Sequence, residues 1–143
     1  MARANSKPAN ESRLRRRLRD SRGQNAVEFA LLLPVLMLIL FGILDLGRLF
    51  FAAITITNAA RDGARYGIEH PTDVSGIQAR VQAEIAGTGI VLDPTLITRV
   101  CPSGCGSGTP IRVEVTYNLQ LILPGILGYT QVPVFSFAEM MVL

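Results

Sequence analysis

The chain has 143 residues, of which 49% are hydrophobic and 17% are charged, a composition that excludes an intrinsically disordered protein and allows one small domain. Its net charge of +3 is unevenly distributed, because residues 1–22 carry eight Lys or Arg and two acids, whereas the rest carries six Arg and nine acids. A single histidine and two cysteines provide too few ligands for a four-coordinate zinc site.

A bilayer-length apolar segment follows this basic arm. Residues 24–44 number 21, and as a helix they extend about 31 Å, which matches a hydrocarbon core of about 30 Å. The other apolar run, 119–127, is interrupted by polar, proline and glycine residues and is too short to cross. By the positive-inside rule, the arm stays in the cytoplasm and the rest is exported. The sequence therefore predicts a single-pass protein of the cytoplasmic (inner) membrane.

Two other export routes are disfavoured. An ordinary secretory signal has a shorter apolar core and a small-x-small cleavage site, whereas Asp45 and Arg48 follow this run and no A-x-A pattern is present. Twin-arginine export, for which the adjacent Arg15 and Arg16 would be the signal, is disfavoured more strongly than signal cleavage.

A lone carboxylate, Glu28, lies at the start of the apolar segment. A charged side chain at the edge of a bilayer is costly, which indicates a function for it. Gly23, followed by Glu28 and Phe29, resembles the processing site of type IV prepilins, in which a prepilin peptidase cuts after the glycine and the glutamate becomes the fifth mature residue. The resemblance implies cleavage between Gly23 and Gln24, and roles for Glu28 and Phe29 in recognition and assembly.

A second motif lies further along the same helix. Residues 58–67 read NAARDGARYG and are similar to the AAR-x-GARY signature of TadE-like proteins, the minor pilins or pseudopilins of tight-adherence (Tad/Flp) pilus systems. The two motifs cover residues 22–67, and the layout of basic arm, long helix and small β-rich tail agrees along the chain. The resemblance implies a structural protein of an adhesive pilus, with a prepilin peptidase, other pilin-like subunits and the Tad assembly machinery as partners.

The spacing of Glu28 suggests a physical role. After a cut at Gly23, the new amino group of Gln24 begins a helix in apolar surroundings, one turn before Glu28. Glu28 can neutralise that amino group or the one of a neighbouring subunit, and the pairing would fix axial register because an uncompensated charge is costly there. The alternative is an interfacial Glu28 that reaches back to headgroup depth beside Arg22.

The helix is predicted to continue past the membrane, with a bend at Pro34. Asp45 and Arg48, three residues apart, can pair where the helix meets the outer headgroups, and mutual compensation is favoured over a mechanistic role. The predicted domains are a basic leader at 1–23, a long helix at 24–69 with its transmembrane part at about 24–44, and an exported head at 70–143.

Small residues give the exported part of this helix a face that allows close packing. They are Ala60, Gly63, Ala64 and Gly67. Packing against the protein's own sheet is favoured over contact with a neighbouring helix. Charged residues at spacings of three or four predict a solvated ladder of ion pairs on the same stretch. These are Arg61, Asp62, Arg65 and Glu69.

The remainder of the chain predicts a small exported head. The step from His70 to Pro71 ends the long helix, and Asp73 or Ser75 can cap a second, amphipathic helix. Three later segments are predicted as strands: 96–101, 111–117 and 132–143. The predicted fold class is α+β, with a long N-terminal transmembrane helix, a short helix and a small antiparallel β-sheet.

Two cysteines, Cys101 and Cys105, bracket a turn between the first two predicted strands. In an exported compartment this spacing favours a disulfide that closes the turn. A redox-active pair is disfavoured because the spacing is C-x-x-x-C rather than C-x-x-C.

We recognise no catalytic arrangement in the sequence. His70, the single histidine, lies beside a proline at a helix end, and there is no G-x-S-x-G motif and no phosphate-binding glycine loop. We therefore expect no enzyme activity, no cofactor, no metal and no small-molecule substrate. Nucleic-acid binding is not expected either, because the basic arm lacks aromatic residues, adjoins a membrane segment and is expected to be removed on processing.

The sequence thus predicts a processed pilin-like minor subunit, or pseudopilin, that joins or primes a Tad-type pilus. The alternative is an uncleaved single-pass anchor whose exported head binds an envelope or secretion-system partner. A membrane-tethered enzyme is the third class, which the missing acid and base residues disfavour. A filament component, a tip initiator and a membrane-retained assembly factor are all compatible with the first prediction.

Overall fold

The computed structural model describes residues 9–123 and 128–143, with side chains from residue 23 onward. The elements in chain order are α1 (Ala9–Gly67), α2 (Val74–Ile85), a 3₁₀ turn (Pro94–Leu96), β1 (Ile97–Val100), β2 (Pro110–Gln120) and β3 (Gln131–Met141). The fold is α+β, with a long N-terminal helix, a shorter helix and a three-stranded antiparallel sheet, as the sequence predicts. The chain divides into two compact units, Met1–Phe41 and Gly42–Leu143.

The first unit is, in its described part, the N-terminal portion of α1. This helix begins at Ala9, inside the predicted leader, and continues through Pro34 without a break. From Gly23 onward it is long and apolar enough to cross a membrane, which no other helix in the described residues is. Its large apolar side chains, such as Leu31, are exposed. A helix satisfies its own backbone hydrogen bonds, so these side chains suit a lipid-facing, single-pass segment.

The second unit contains the sheet, in the order β1-β2-β3 with both pairs antiparallel. Along β2, Ile111, Val113 and Val115 are fully buried, whereas Arg112 and Glu114 between them are only partly buried. This is the alternation that the sequence predicts for 111–117, because successive side chains of a strand point to opposite faces. One face of the sheet is therefore available to pack on helices.

The core of the second unit is shared between the helices and that sheet face. From the helices it includes Ile56, Ala59, Ala60, Ala64, Ile77, Val81 and Ile85, and from the strands Ile97, Ile111, Val113, Val115, Leu119, Val134 and Ala138. The part of α1 after Gly42 thus contributes several residues to this core. A head of this size gains stability from such a helix, since a small domain alone buries too little surface.

Three contacts fix the direction of the sheet along α1. Near the start of this unit, the Arg48 guanidinium donates to the Gln120 carbonyl at 3.0 Å. Further along, the hydroxyls of Thr57 and Ser136 are 2.8 Å apart. At the helix end, the Leu143 N–H donates to the Ile68 carbonyl at 3.1 Å. The end of β2 therefore lies beside Arg48, and the residues after β3 lie beside the end of α1.

Candidate functional site

The residues of the predicted processing site lie on α1. Gly23, Gln24, Glu28 and Phe29 are all exposed. A Cβ added at Gly23 would meet nothing within 4 Å, so packing does not require a glycine there. Because the helix has 3.6 residues per turn, Glu28 follows Gln24 by about one turn on the same side. Cleavage and the roles of Glu28 and Phe29 remain predictions.

Asp45 and Arg48 bind the β2–β3 connection as well as each other. Arg48 Nη1 lies 3.2 Å from Asp45 Oδ1, so the predicted pair is present. Both oxygens of the Asp45 carboxylate also accept the Ile122 N–H, at 3.0 Å each, and Oδ2 accepts the Leu123 N–H at 3.4 Å. With Arg48 on the Gln120 carbonyl, the two charges join the helix to a distant loop. The predicted pairing is thus present, and the contacts with the loop are additional to it.

The small-residue face of α1 packs inside the protein's own head. Ala60 and Ala64 are fully buried. A Cβ at Gly63 would lie 2.6 Å from Val81 Cγ2 and 3.3 Å from Val113 Cγ1. A Cβ at Gly67 would lie 2.7 Å from Ile111 Cδ1. These glycines let both α2 and the sheet approach the backbone of α1 closely.

The charged residues on this part of α1 do not form the predicted ion-pair ladder. Among the residues described here, the ion pairs within 4.0 Å are Asp45–Arg48, Arg112–Glu114 and Arg112–Glu139, and none involves Arg61 or Arg65. Spacing along a helix brings charges near one another, but long exposed side chains lose too much entropy for a weak pair to hold them.

The junction between α1 and α2 is held by an aromatic and acidic cluster. The Tyr66 hydroxyl donates to Asp73 Oδ2 at 2.9 Å, and the Tyr66 ring stacks on His70 with centroids 4.7 Å apart. The Arg80 guanidinium lies 5.6 Å from the Tyr66 centroid. His70 thus has a structural contact, and Tyr66, from the second sequence motif, positions the start of α2.

Asp73 is the N-cap of α2. Its side chain accepts the Gly76 N–H and the Ser75 hydroxyl. Hydrogen bonds from Gly76, then Ser75, then Tyr66 hold the pKa of the Asp73 carboxyl below its ordinary value. The same hydrogen bond to Asp73 raises the pKa of the Tyr66 hydroxyl. Of the two caps that the sequence allows, Asp73 is the one used.

A disulfide joins Cys101 and Cys105, with Cα atoms 5.4 Å apart, in the turn between β1 and β2. Arg99 Nη1 donates to Cys105 Sγ at 2.6 Å and to the Pro71 carbonyl at 2.7 Å. Arg99 therefore connects this turn to the segment between α1 and α2, a contact that sequence reasoning missed. Its position two residues after buried Ile97 was the available signal, because it places Arg99 on the inward face of β1.

No group of three or more His, Cys, Asp or Glu in the described part of the chain is arranged to hold a metal ion. A surface cavity of about 370 Å³ is lined by side chains of both charges, including Arg61, Asp62 and Glu84. Because the lining carries charges of both signs and the cavity is open, it does not indicate which kind of ligand would bind there.

Comparison with known proteins gives one match. Residues 23–65 match the model of a family described as TadE-like protein. The matched segment begins at Gly23 and contains Glu28 and most of the 58–67 motif. No curated protein and no solved structure matches the chain. The resemblance read from the sequence is thereby confirmed over residues 23–65, where the chain is similar to TadE-like proteins, a family associated with Tad pili.

Proposed function

We propose that this chain is a processed pilin-like minor subunit, a pseudopilin needed for biogenesis of a Tad/Flp-type adhesive pilus. The observation that carries the proposal is the place where the family match begins. It starts at Gly23, the residue after which the cut is expected, and Glu28 follows five positions later on an exposed helix. The partners on this proposal are a prepilin peptidase, other pilin-like subunits and the Tad assembly machinery.

The steric surroundings of Gly23 support a role outside folding. A glycine inside a helix destabilises it by about 1 kcal/mol relative to alanine. Gly63 and Gly67 are needed for close packing, but nothing lies within 4 Å of a Cβ built at Gly23. Gly42 and Gly47 are equally uncrowded. It is therefore the spacing to Glu28, together with the absence of a packing role, that singles out Gly23 for processing.

The position of Gly23 within α1 also bears on the cleavage step. The bond between Gly23 and Gln24 lies inside the helix that begins at Ala9. A peptidase that binds an extended backbone has to unwind this turn, and the glycine lowers the cost of doing so. The cut creates a helix N-terminus with a free amino group at Gln24. Both that amino group and the helix dipole favour a carboxylate one turn away, where Glu28 lies.

The mature N-terminus tests the proposal directly. Removal of residues 1–23 from the 143-residue chain leaves 120 residues that begin at Gln24. Mass spectrometry of the protein from its native envelope should find this N-terminus. Gly23→Val should block the cut because it places a bulky side chain at the scissile bond. Gly47→Val, at another uncrowded glycine of the same helix, should be processed normally.

The alternative function is an uncleaved membrane anchor whose head binds an envelope or secretion-system partner. Retention of residues 1–22 in cells with a functional prepilin peptidase would contradict the processing proposal and support this alternative. Normal processing of Gly23→Val would show that the glycine is not read by the enzyme.

A further inference from the structure

The β2–β3 connection is bound to α1 directly after the apolar run. Asp45 follows Leu44, the last residue of that run, and its carboxylate accepts the Ile122 N–H at 3.0 Å. Arg48 donates to the Gln120 carbonyl at 3.0 Å. The described residues of the connection therefore lie at the level of α1 where a bilayer-length segment ends.

Apolar side chains are exposed at this level. Ile122 is 43% exposed, and Tyr129, at the other end of the connection, is 70% exposed. Leu46 and Phe50 of α1 are 51% and 61% exposed. Exposure of such side chains to water is unfavourable, whereas tyrosine is characteristic of the boundary between lipid and water.

Three backbone N–H groups among the described residues of the connection have partners within the protein. The N–H groups of Ile122 and Leu123 donate to Asp45, and the Leu121 N–H donates to the Thr130 carbonyl at 3.1 Å. The Asp45 side chain itself is 12% exposed. Backbone next to hydrocarbon requires such internal partners, because lipid offers none. An ordinary water-facing loop has no need for them.

From these three observations we infer that this end of the head rests on the outer lipid surface of the membrane. The contact surface, named here the loop surface, consists of Ile122, Tyr129, Leu46 and Phe50. Asp45, which binds the loop, directly follows the last residue of the apolar run in the chain, and this is the reason for assigning lipid as the occupant. The inference rests on the part of the proposed function in which α1 spans the membrane, and it does not depend on cleavage at Gly23.

A bound loop surface would hold the head against the membrane before assembly. A subunit that leaves the bilayer for a filament would have to release this contact as well as the span. The head would therefore have two states: bound to the lipid surface before assembly, and released from it in the filament.

The absence of tryptophan from the chain allows a clean fluorescence test. Tyr129→Trp is introduced into the full chain, reconstituted in vesicles of phosphatidylethanolamine and phosphatidylglycerol. The lipids carry bromine either near the carbonyl end of the acyl chains or near the bilayer centre. We expect blue-shifted emission and stronger quenching by the shallow bromine than by the deep one, because the side chain lies at the interface.

Two matched variants calibrate this result. Leu36→Trp, at an exposed position within the apolar run, should be quenched more strongly by the deep bromine. Leu143→Trp should show water-like emission without quenching, since Leu143 is 77% exposed at the opposite end of the sheet.

Three outcomes would overturn the inference. Water-like, unquenched Tyr129→Trp beside quenched Leu36→Trp would place the loop surface in water while leaving the span intact. Emission that shifts only when another protein is added would make a protein the occupant. Unquenched Leu36→Trp would remove the span itself, whereas the mature N-terminus remains a separate measurement of processing.

Discussion

Asp73 shows how one side chain can hold the start of a helix. It accepts hydrogen bonds from the Gly76 N–H and from the hydroxyls of Ser75 and Tyr66. Each of these favours the charged carboxylate, which is why its pKa is lowered. The charged form is therefore more stable in the folded head than in the unfolded chain.

This linkage predicts an acid-sensitive head. A carboxyl with a depressed folded pKa contributes stability that is present above its unfolded pKa, near 3.8, and is lost as pH falls through the folded pKa. Asp73→Asn should therefore destabilise the head at neutral pH, and the difference from the wild type should shrink in acid below about 3.8. Thermal unfolding followed by circular dichroism at a series of pH values measures this.

Glu84→Gln, an exposed substitution on the same helix, is the control and should show no such convergence. A wild-type and Asp73→Asn difference that stays constant into acid would contradict the role given to the charge. The Tyr66 hydroxyl has the opposite pH dependence. Its pKa is raised in the folded head, so its contribution to stability is fully present below pH 10.0 and is lost as the pH rises through the folded pKa.

The disulfide can be tested within a single peptide. Trypsin cleaves after Arg99 and Arg112, and no Lys or Arg lies between them, so Cys101 and Cys105 fall in one fragment. Without reduction, we expect this peptide to be lighter by two hydrogen atoms and to take up no alkylating reagent. After reduction it should carry two labels while the helical circular dichroism signal is kept. Two labels before reduction, in protein from the native envelope, would reject the bridge.

At the scale of elements, α1 contains glycines in two different environments. A Cβ at Gly42 or Gly47 would meet nothing within 4 Å, whereas one at Gly63 or Gly67 would meet core side chains at 2.6–2.7 Å. The first pair faces outward on the helix, and the second lies where α2 and the sheet press against it. Glycine is therefore required for close packing at Gly63 and Gly67, whereas at Gly42 and Gly47 it only lowers the stability of the helix.

Gly63→Ala should destabilise the head by about 1–3 kcal/mol, the range for adding a methyl group to a packed core. Gly47→Ala adds the same methyl at an open position, and it should be neutral or stabilise the helix by up to about 1 kcal/mol. Chemical denaturation of the full chain in detergent micelles gives both values. Equal effects of the two substitutions would show that α1 does not pack closely at Gly63.

The elements themselves could be predicted from the sequence because each has a local signal. The apolar run gave the long helix, the alternation at 111–117 gave β2, and the step from His70 to Pro71 placed the end of α1 within a few residues. The contacts of Asp45 and Arg99 could not be predicted in the same way. Their partners are backbone groups and a sulfur brought close only by the tertiary fold.

The error about the ion-pair ladder on α1 has a related physical cause. Helical spacing correctly brought Asp45 and Arg48 together, but the same rule failed for Arg61 and Arg65. A surface ion pair is too weak to order two long side chains unless another group supports it. Asp45 has that support from the Ile122 N–H, and this support was invisible in the local sequence.

At the scale of the whole molecule, the proposed assembly role of Glu28 is the main open test. In cells lacking the wild-type copy, Glu28→Gln should be processed like the wild type, because size and hydrogen bonding are kept. Pilus formation or incorporation should fall, because the new amino group loses its charge partner in apolar surroundings. Immunoblotting of cell and sheared-filament fractions measures both steps.

Glu28→Asp should give an intermediate result, because it keeps the charge and shortens its reach by one methylene. Glu69→Gln, an exposed change just beyond α1, should assemble normally. Normal piliation by Glu28→Gln would show that the carboxylate is merely interfacial and would favour the uncleaved anchor.

The way the sheet is attached to α1 also has a mechanical consequence. Contacts at Arg48, Thr57 and Ile68 are distributed along the C-terminal part of α1 and the residue after its end, and they connect to successive parts of the sheet. A force along the helix axis is therefore distributed over several contacts that must break together, rather than acting on one contact that breaks first. Between these contacts, Ile56 and Ala60 are buried in the same hydrophobic core as the inner face of the sheet. The sheet thus packs side by side with this part of α1, so tension passes from helix to head through these contacts and not through a linker.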